Sequence, residues 1–169
     1  VEFDIWMRLL HGVADSVLWL YASNEMAKEN LIKQALNRGI SSDRLVFSKL
    51  VAFDKYISQL THADLYLDTF NYNAGATASN VLWAGVPLIT KPGVGYTSRM
   101  ASSLLQSIEM PELITSTLED YENLALSLAK DPVKLSFVRL LLALKRVNSD
   151  LFDVGKFTIH LENSYRKMY

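Results

Sequence analysis

The chain has 169 residues, 50% of them hydrophobic and 21% charged, which is enough to bury one sizeable core and excludes disordered or collagen-like character. Seventeen Lys and Arg against 18 Asp and Glu leave a net charge of -1, excluding a global basic field for non-specific nucleic-acid binding. The absence of cysteine excludes a disulfide framework, a thiol nucleophile and thiolate-held metal clusters.

The first residues, Val1 to Trp6, have no initiator Met, no basic n-region and no cleavage-type small residues, so the start reads as a cut inside a longer polypeptide, already within a helix. Ser16-Val-Leu-Trp-Leu20 is the first predicted strand. Residues 24–37 follow as a helix with Met26, Leu31, Ala35 and Leu36 on its core face and Gly39 as its stop. Leu45 to Phe47, Leu65 to Leu67 and Pro87 to Thr90 read as further short strands. Helical patterns at 54–62, with Asp54 as cap, and at 76–84 separate them. Another helix is expected to open at Thr97 or Ser98. Beyond residue 115 the pattern is all helix. Ser116-Thr-Leu-Glu119 reads as a capping box for a helix to Lys130, Asp131-Pro132 opens the next, and a last one runs from about Asp153 to Met168.

Short apolar strands separated by single helices are what a parallel sheet covered on both faces requires. The expected fold class is therefore α/β, a Rossmann-like doubly wound sheet, with terminal helices packed on the sheet or crossing to another lobe. Trp6, Trp19 and Trp83 lie in apolar patterns and are expected in the core. No internal repeat or Gly/Ser-rich linker divides the chain. No apolar run approaches the roughly 18 to 20 residues of a membrane span.

Open parallel sheets bind ligands at the carboxyl ends of their strands. Two loops there carry candidate chemistry. Asp68 to Asn80 follows one strand and enters a helix through Ala74, Gly75, Ala76 and Ala78, small residues that leave backbone N–H groups uncovered where the helix dipole concentrates positive charge. A phosphate fits that position, with Thr77 adding a hydroxyl and Asn80 an amide for a sugar or ribose hydroxyl. The alternative is an ordinary strand-to-helix turn capped by Thr77 or Ser79, since the loop is neither a Walker motif nor a G-x-G-x-x-G fingerprint. Lys91-Pro-Gly-Val-Gly-Tyr-Thr-Ser98 offers two glycines for an anion or a close backbone approach, or is a flexible turn with a capping hydroxyl. His11, His62 and His160 have no partner at metal-ligand spacing and read as surface or packing residues. Lys145-Arg146 is too short a basic patch to argue for nucleic acid.

Several segments together resemble glycosyltransferase family 41, the protein O-GlcNAc transferases, SPINDLY proteins and their bacterial relatives. They are Ser16 to Leu20, Arg44 to Phe47, Ala63-Asp-Leu-Tyr-Leu-Asp-Thr69, Tyr72-Asn-Ala-Gly-Ala-Thr-Ala-Ser-Asn80, Leu82-Trp-Ala-Gly-Val-Pro87, Pro92-Gly93 and Ser98-Arg99. Ser149 to Asp153, Phe157-Thr158, Leu161-Glu162 and Tyr165 continue the likeness to the end of the chain. The resemblance implies a GT-B enzyme of two Rossmann-like lobes preceded by tetratricopeptide repeats. Residues 1–169 would form its C-terminal, sugar-nucleotide-binding lobe.

It also implies transfer of a sugar, most simply GlcNAc from UDP-GlcNAc, to Ser/Thr hydroxyls of proteins. The implied setting is cytoplasmic, with no metal or other cofactor, no nucleic acid and no membrane span. The partners are the nucleotide sugar, a protein or peptide acceptor and the N-terminal lobe. Carried over by residue, Gly75, Ala76 and Thr77 take the place of a His-Thr-Thr diphosphate loop and Asn80 that of an Asp engaging the nucleotide. Tyr56 stands where a His stacks on uracil, and Val51 where a backbone group reads the base. Gly75, Ala76 and Asn80 thus lack two side-chain contacts and one charge, and Phe53 replaces a ribose-holding Lys. The family's diphosphate-binding Lys falls before Val1, no general base is identified, and the chain alone is expected to lack transferase activity. The rival expectation is a degenerate nucleotide-binding, regulatory or scaffold domain of a repeat protein.

Overall fold

The computed structural model describes residues 1–169. Helix α1 (Glu2–Gly12) leads to strand β1 (Leu18–Tyr21), α2 (Glu25–Leu36), β2 (Leu45–Ser48), α3 (Phe53–Leu60), β3 (Tyr66–Leu67), α4 (Ala76–Trp83), β4 (Leu88–Ile89) and α5 (Met100–Ser107). Three helices follow, α6 (Leu118–Lys130), α7 (Pro132–Asn148) and α8 (Val154–Met168).

All strand pairing is parallel. β1 runs beside β2 from Leu18 opposite Leu45 to Tyr21 opposite Ser48, and β3 beside β4 with Tyr66 opposite Leu88 and Leu67 opposite Ile89. A parallel pair needs a crossover, and α2 and α4 supply one each. The fold is the expected Rossmann-like α/β lobe, although its strands of two to four residues bond as two separate pairs rather than one continuous ladder. Thr90 extends the second pair by a parallel bridge to Ile114.

Each pair sits on its own core. Leu88 and Ile89 pack with Val81, Leu82, Leu105, Tyr121, Leu128 and Leu142, all fully buried. Met7, Leu10, Ala35, Ile40 and Leu45 form a smaller core under β1 and β2, and Trp6 touches both. Arg44 fastens α1 to β1: its guanidinium donates to the carbonyls of Leu10 (3.1 Å), Val13 (2.8 Å) and Ser16, which the end of α1 and the following turn leave without helical partners.

Local signals were realised unevenly. Asn24 caps α2 by accepting the Ala27 N–H at 2.8 Å, and Gly39, at φ +75°, takes the left-handed conformation after it. On the predicted apolar face of α2, however, only Ala35 is buried and Leu31 half-buried, while Met26 and Leu36 are exposed. At about 100° per residue Met26 lies half a turn from Ala35. The capping box of α6 sits one residue later than expected, with Thr117 Oγ1 accepting the Asp120 N–H and the Asp120 carboxylate accepting the Thr117 N–H. α3 starts at Phe53 behind an Ala52 cap, so Asp54 lies in its first turn and does not cap it. Asp131 opens α7 ahead of Pro132 as expected, and Asp153 caps α8.

Trp83 is not a core residue: it is half-exposed on the outer side of α4, tilted against Phe152 at 5.1 Å and 5.8 Å from the Arg146 guanidinium. Trp19 is half-buried. Of the terminal helices, α6 packs on α1 and β4 and α7 on α6 and α4. α8 instead packs on the turn at 150–152 and buries no residue, leaving Phe157, Leu161, Tyr165 and Met168 exposed.

Candidate functional site

Parallel pairing makes the chain leave β3 and β4 at the same edge, so the loops at 68–75 and 91–99 become neighbours. The Asn73 N–H donates to Thr97 O at 2.9 Å, and Thr97 Oγ1 reaches Asn71 O at 3.4 Å. The second loop folds on itself. Gly93 N–H donates to Ser98 O at 2.8 Å, and a Cβ on Gly93 would stand 2.6 Å from Ser98 Oγ and 2.9 Å from its Cβ, so glycine makes room there for the Ser98 side chain. Thr97 and Ser98 do not open α5, which begins at Met100. The Ser98 hydroxyl is turned inward to Gly95 O at 2.9 Å.

The first loop is held from beneath. Asp68 is 1% exposed; its Oδ1 accepts the Ala74 N–H at 2.8 Å and its Oδ2 the Thr90 hydroxyl at 2.6 Å, while its carbonyl accepts the buried Tyr121 hydroxyl at 2.9 Å. Burial pushes the Asp68 carboxyl above its ordinary pKa, and the N–H groups of Ala74 and Thr69 and the Thr90 hydroxyl pull it part of the way back. Thr69 Oγ1 donates to Tyr72 O at 2.5 Å and Asn73 Nδ2 to Thr69 O at 2.6 Å, completing a tight polar turn. The nearby Tyr66 hydroxyl is pushed up to about 12, chiefly by burial.

What this turn delivers is an uncapped helix end. Gly75 is the N-cap of α4, no side chain caps it, and the N–H groups of Gly75, Ala76, Thr77 and Ala78 have no acceptor within the chain. The capping role open to Thr77 or Ser79 is therefore not taken up. Free N–H groups of this kind, with the helix dipole behind them, attract an anion. Ala76 and Thr77 are exposed, whereas Asn80, one turn further in, is half-buried.

α3 packs across α4 and carries Tyr56 to this end. Burial raises the pKa of the Tyr56 hydroxyl, and the Thr77 and Asn80 side chains beside it offset part of that rise, although their approach falls short of hydrogen-bond geometry. Phe53, two-thirds exposed, tilts against Tyr56 with centroids 6.4 Å apart. Of the six candidates, Tyr56, Thr77 and Asn80 are thus brought together, Gly75 and Ala76 form the turn before them, and Val51 lies half-buried in the loop entering α3. Tyr72, Asn73, Gly75, Tyr96, Thr97 and Met100 line a cavity of about 120 Å³ between the two loops. A shallow, open surface region at Tyr165, Arg166, Met168 and Tyr169 touches none of these residues.

Sequence reasoning missed Asp68, Thr90 and Tyr121. The signal was present in the register: with Leu67 opposite Ile89, the residues that follow, Asp68 and Thr90, must face one another as the strands end. No group of three or more His, Cys, Asp or Glu side chains comes together as a metal cluster, and His11 hydrogen-bonds the carbonyl of Arg38 at 2.8 Å. No helix is long and apolar enough to cross a membrane.

The profile of glycosyl transferase family 41 matches residues 1–161. The chain belongs to glycosyltransferase family 41. It is 32% identical over 166 residues to a UDP-N-acetylglucosamine--peptide N-acetylglucosaminyltransferase of Caenorhabditis elegans, covering 98% of this chain and 14% of that protein. A probable enzyme of the same name, SEC, from Arabidopsis thaliana is 33% identical over 167 residues, and the chain spans 17% of it. The structure of a Thermobaculum terrenum O-GlcNAc transferase mutant, K341M, superposes with a TM-score of 0.90 at 30% identity over 98% of this chain and 32% of that one. The architecture is accordingly that of a lobe of a GT-B glycosyltransferase. The chain spans less than a third of the length of these relatives and about a third of the solved transferase.

Proposed function

We propose that this family 41 chain is the C-terminal, nucleotide-sugar-binding lobe of a protein glycosyltransferase. It would hold the donor while the sugar passes to a Ser or Thr hydroxyl of a protein. The observation that carries the reading is the uncapped N-terminus of α4, four free N–H groups at the carboxyl edge of β3 with Tyr56, Thr77 and Asn80 gathered beside them. A nucleoside diphosphate matches it in parts. The N–H groups of Gly75, Ala76 and Thr77 would take the diphosphate, with the Thr77 hydroxyl adding a bond. Asn80 would engage the ribose or phosphate edge, and the Tyr56 ring, with the Val51 backbone, the base.

As the sugar bond breaks, negative charge grows on the departing diphosphate. Fixed N–H donors and the α4 dipole answer that charge without having to reorganise. On this reading no metal is needed, and chelation leaves donor binding unchanged. The names of the relatives favour UDP-GlcNAc as donor and a peptide as acceptor. The N-terminal lobe and acceptor side are proposed to lie in the rest of the polypeptide, together with any general base.

A second reading, nucleotide binding without transfer, is favoured by the composition of the site. Among Val51, Tyr56, Gly75, Ala76, Thr77 and Asn80 the sole titratable group is a tyrosine, and an amide stands where the family likeness places a carboxylate. Calorimetry with UDP on this chain, followed by mass spectrometry of peptides incubated with UDP-GlcNAc and the complete polypeptide, separates the two. Binding with a glycosylated product supports the transferase, and binding with no product supports the second reading. No binding refutes both.

A further inference from the structure

We propose that Asp68 is a positioning residue: its buried carboxylate fixes the turn that aims the free N–H groups of α4 at the donor diphosphate. The inference rests on the reading of α4 as the diphosphate site. Asp68 occupies the junction of everything that supports this turn. Its own N–H donates to Ile89 O at 3.1 Å, extending the β3–β4 ladder by one residue, and its carbonyl is tied to α6 through the Tyr121 hydroxyl. The two carboxylate oxygens divide the remaining work. Oδ2 is anchored to the sheet by Thr90, whose own carbonyl accepts both the N–H (2.9 Å) and the hydroxyl (3.1 Å) of Thr115. Oδ1 is therefore fixed in space and takes the N–H of Ala74.

Ala74 is the residue directly before Gly75, the N-cap of α4. Fixing its N–H sets where the chain turns into the helix, and so where the next four N–H groups point. The site gains nothing from a buried negative charge near a diphosphate, which would be repelled by it. A role in direct ligand contact is thus opposed by electrostatics and by the 1% exposure of the residue, whereas a role in holding donors is served by an acceptor with two oxygens and no hydrogen of its own. The Asp68 link also spans only six residues, so it constrains this loop far more than it constrains the fold at large.

The test compares four variants of the chain by UDP titration and thermal melting. Asp68→Ala removes the acceptor for Ala74, and UDP affinity is expected to fall by about tenfold or more as the turn loosens. Asp68→Asn keeps an oxygen for Ala74 and presents an N–H to the Thr90 hydroxyl, so it is expected to stay within about threefold of the parent. Tyr121→Phe removes a buried hydrogen bond to the same residue's carbonyl but leaves the carboxylate and Ala74 untouched. It should lower the melting temperature without weakening UDP binding by more than about twofold. Thr90→Val frees Oδ2 and should fall between the Asn and Ala variants. Unchanged UDP affinity in Asp68→Ala would overturn the proposal, as would losses of affinity that track melting temperature across all four variants, Tyr121→Phe included. Failure of the parent chain to bind UDP is a different result, and refutes the diphosphate reading of α4 itself.

Discussion

Thr77→Val isolates one contact of the proposed donor site at small structural cost. The side chains are nearly isosteric, the Thr77 hydroxyl caps nothing, and the residue is exposed in the first turn of α4, so the folded state loses no internal hydrogen bond. A surface change of this kind moves stability by about 0.5 kcal/mol or less. The loss on binding is larger. A hydrogen bond from a neutral hydroxyl to a charged phosphate contributes about 1.5 to 3 kcal/mol, so UDP should bind roughly ten- to hundredfold more weakly. Binding should not vanish, because the N–H groups of Gly75, Ala76 and Thr77 survive the substitution. Calorimetry gives the dissociation constant and a melting curve gives the stability of the same sample. An unchanged constant would remove Thr77 from the site. A fall in melting temperature matching the loss of affinity would show that the hydroxyl serves the helix and not the ligand.

Tyr56→Ala should cost about 1 to 3 kcal/mol of UDP affinity if the ring stacks on the base, and Tyr56→Phe less than about 1 kcal/mol; lowered melting temperature with unchanged affinity in Tyr56→Ala would refute the stacking role. Gly75→Ala should leave UDP affinity within about twofold of the parent, since the N–H is kept and a Cβ there meets only Met100 Cε at 3.9 Å. A large loss of affinity would instead mean that the ligand packs against the glycine Cα. For Asp68, the folded-state pKa is raised above 3.8, so folding takes up a proton between 3.8 and that raised value and the burial cost is relieved as pH falls through it. The stability of the parent relative to Asp68→Asn should therefore increase as pH drops through that window, and a difference independent of pH would show that burial does not penalise the charge.

The α/β alternation was legible because strand and helix periods differ and because Gly39, Asp131-Pro132 and Asp153 mark element ends by local chemistry alone. Errors arose where packing from elsewhere in the chain decided the outcome. Met26 and Leu36 satisfy a loose apolar count, yet the angle between Met26 and Ala35 takes one of them to solvent. Trp83 follows two buried residues, Val81 and Leu82, but the next step around α4 faces outward, where Phe152 and Arg146, far along the chain, reach it. The Thr117 to Asp120 box was displaced by one residue from its nearest look-alike, Ser116 to Glu119, since both segments carry the pattern and geometry chooses between them.

The candidate site was legible to the extent that it is local. A run of small residues entering a helix points to accessible N–H groups, and Gly75, Ala76 and Thr77 supply them. What no local pattern conveys is the support beneath. Tyr56 reaches Thr77 and Asn80 across the packing of two helices, and Asp68 is bonded to Ala74, Thr90 and Tyr121 at separations of 6, 22 and 53 residues. Those contacts follow from strand register and from α6 closing over the sheet.

The proposed function stands or falls on whether the N-terminus of α4 binds the diphosphate of a nucleotide donor. Amide chemical shifts measured by NMR on the isotopically labelled chain during titration with UDP test it most directly. Saturable shifts are expected at the N–H groups of Gly75, Ala76, Thr77 and Ala78, persisting in the presence of a metal chelator. No saturable shift at these four amides, or shifts centred on another part of the lobe, would contradict it.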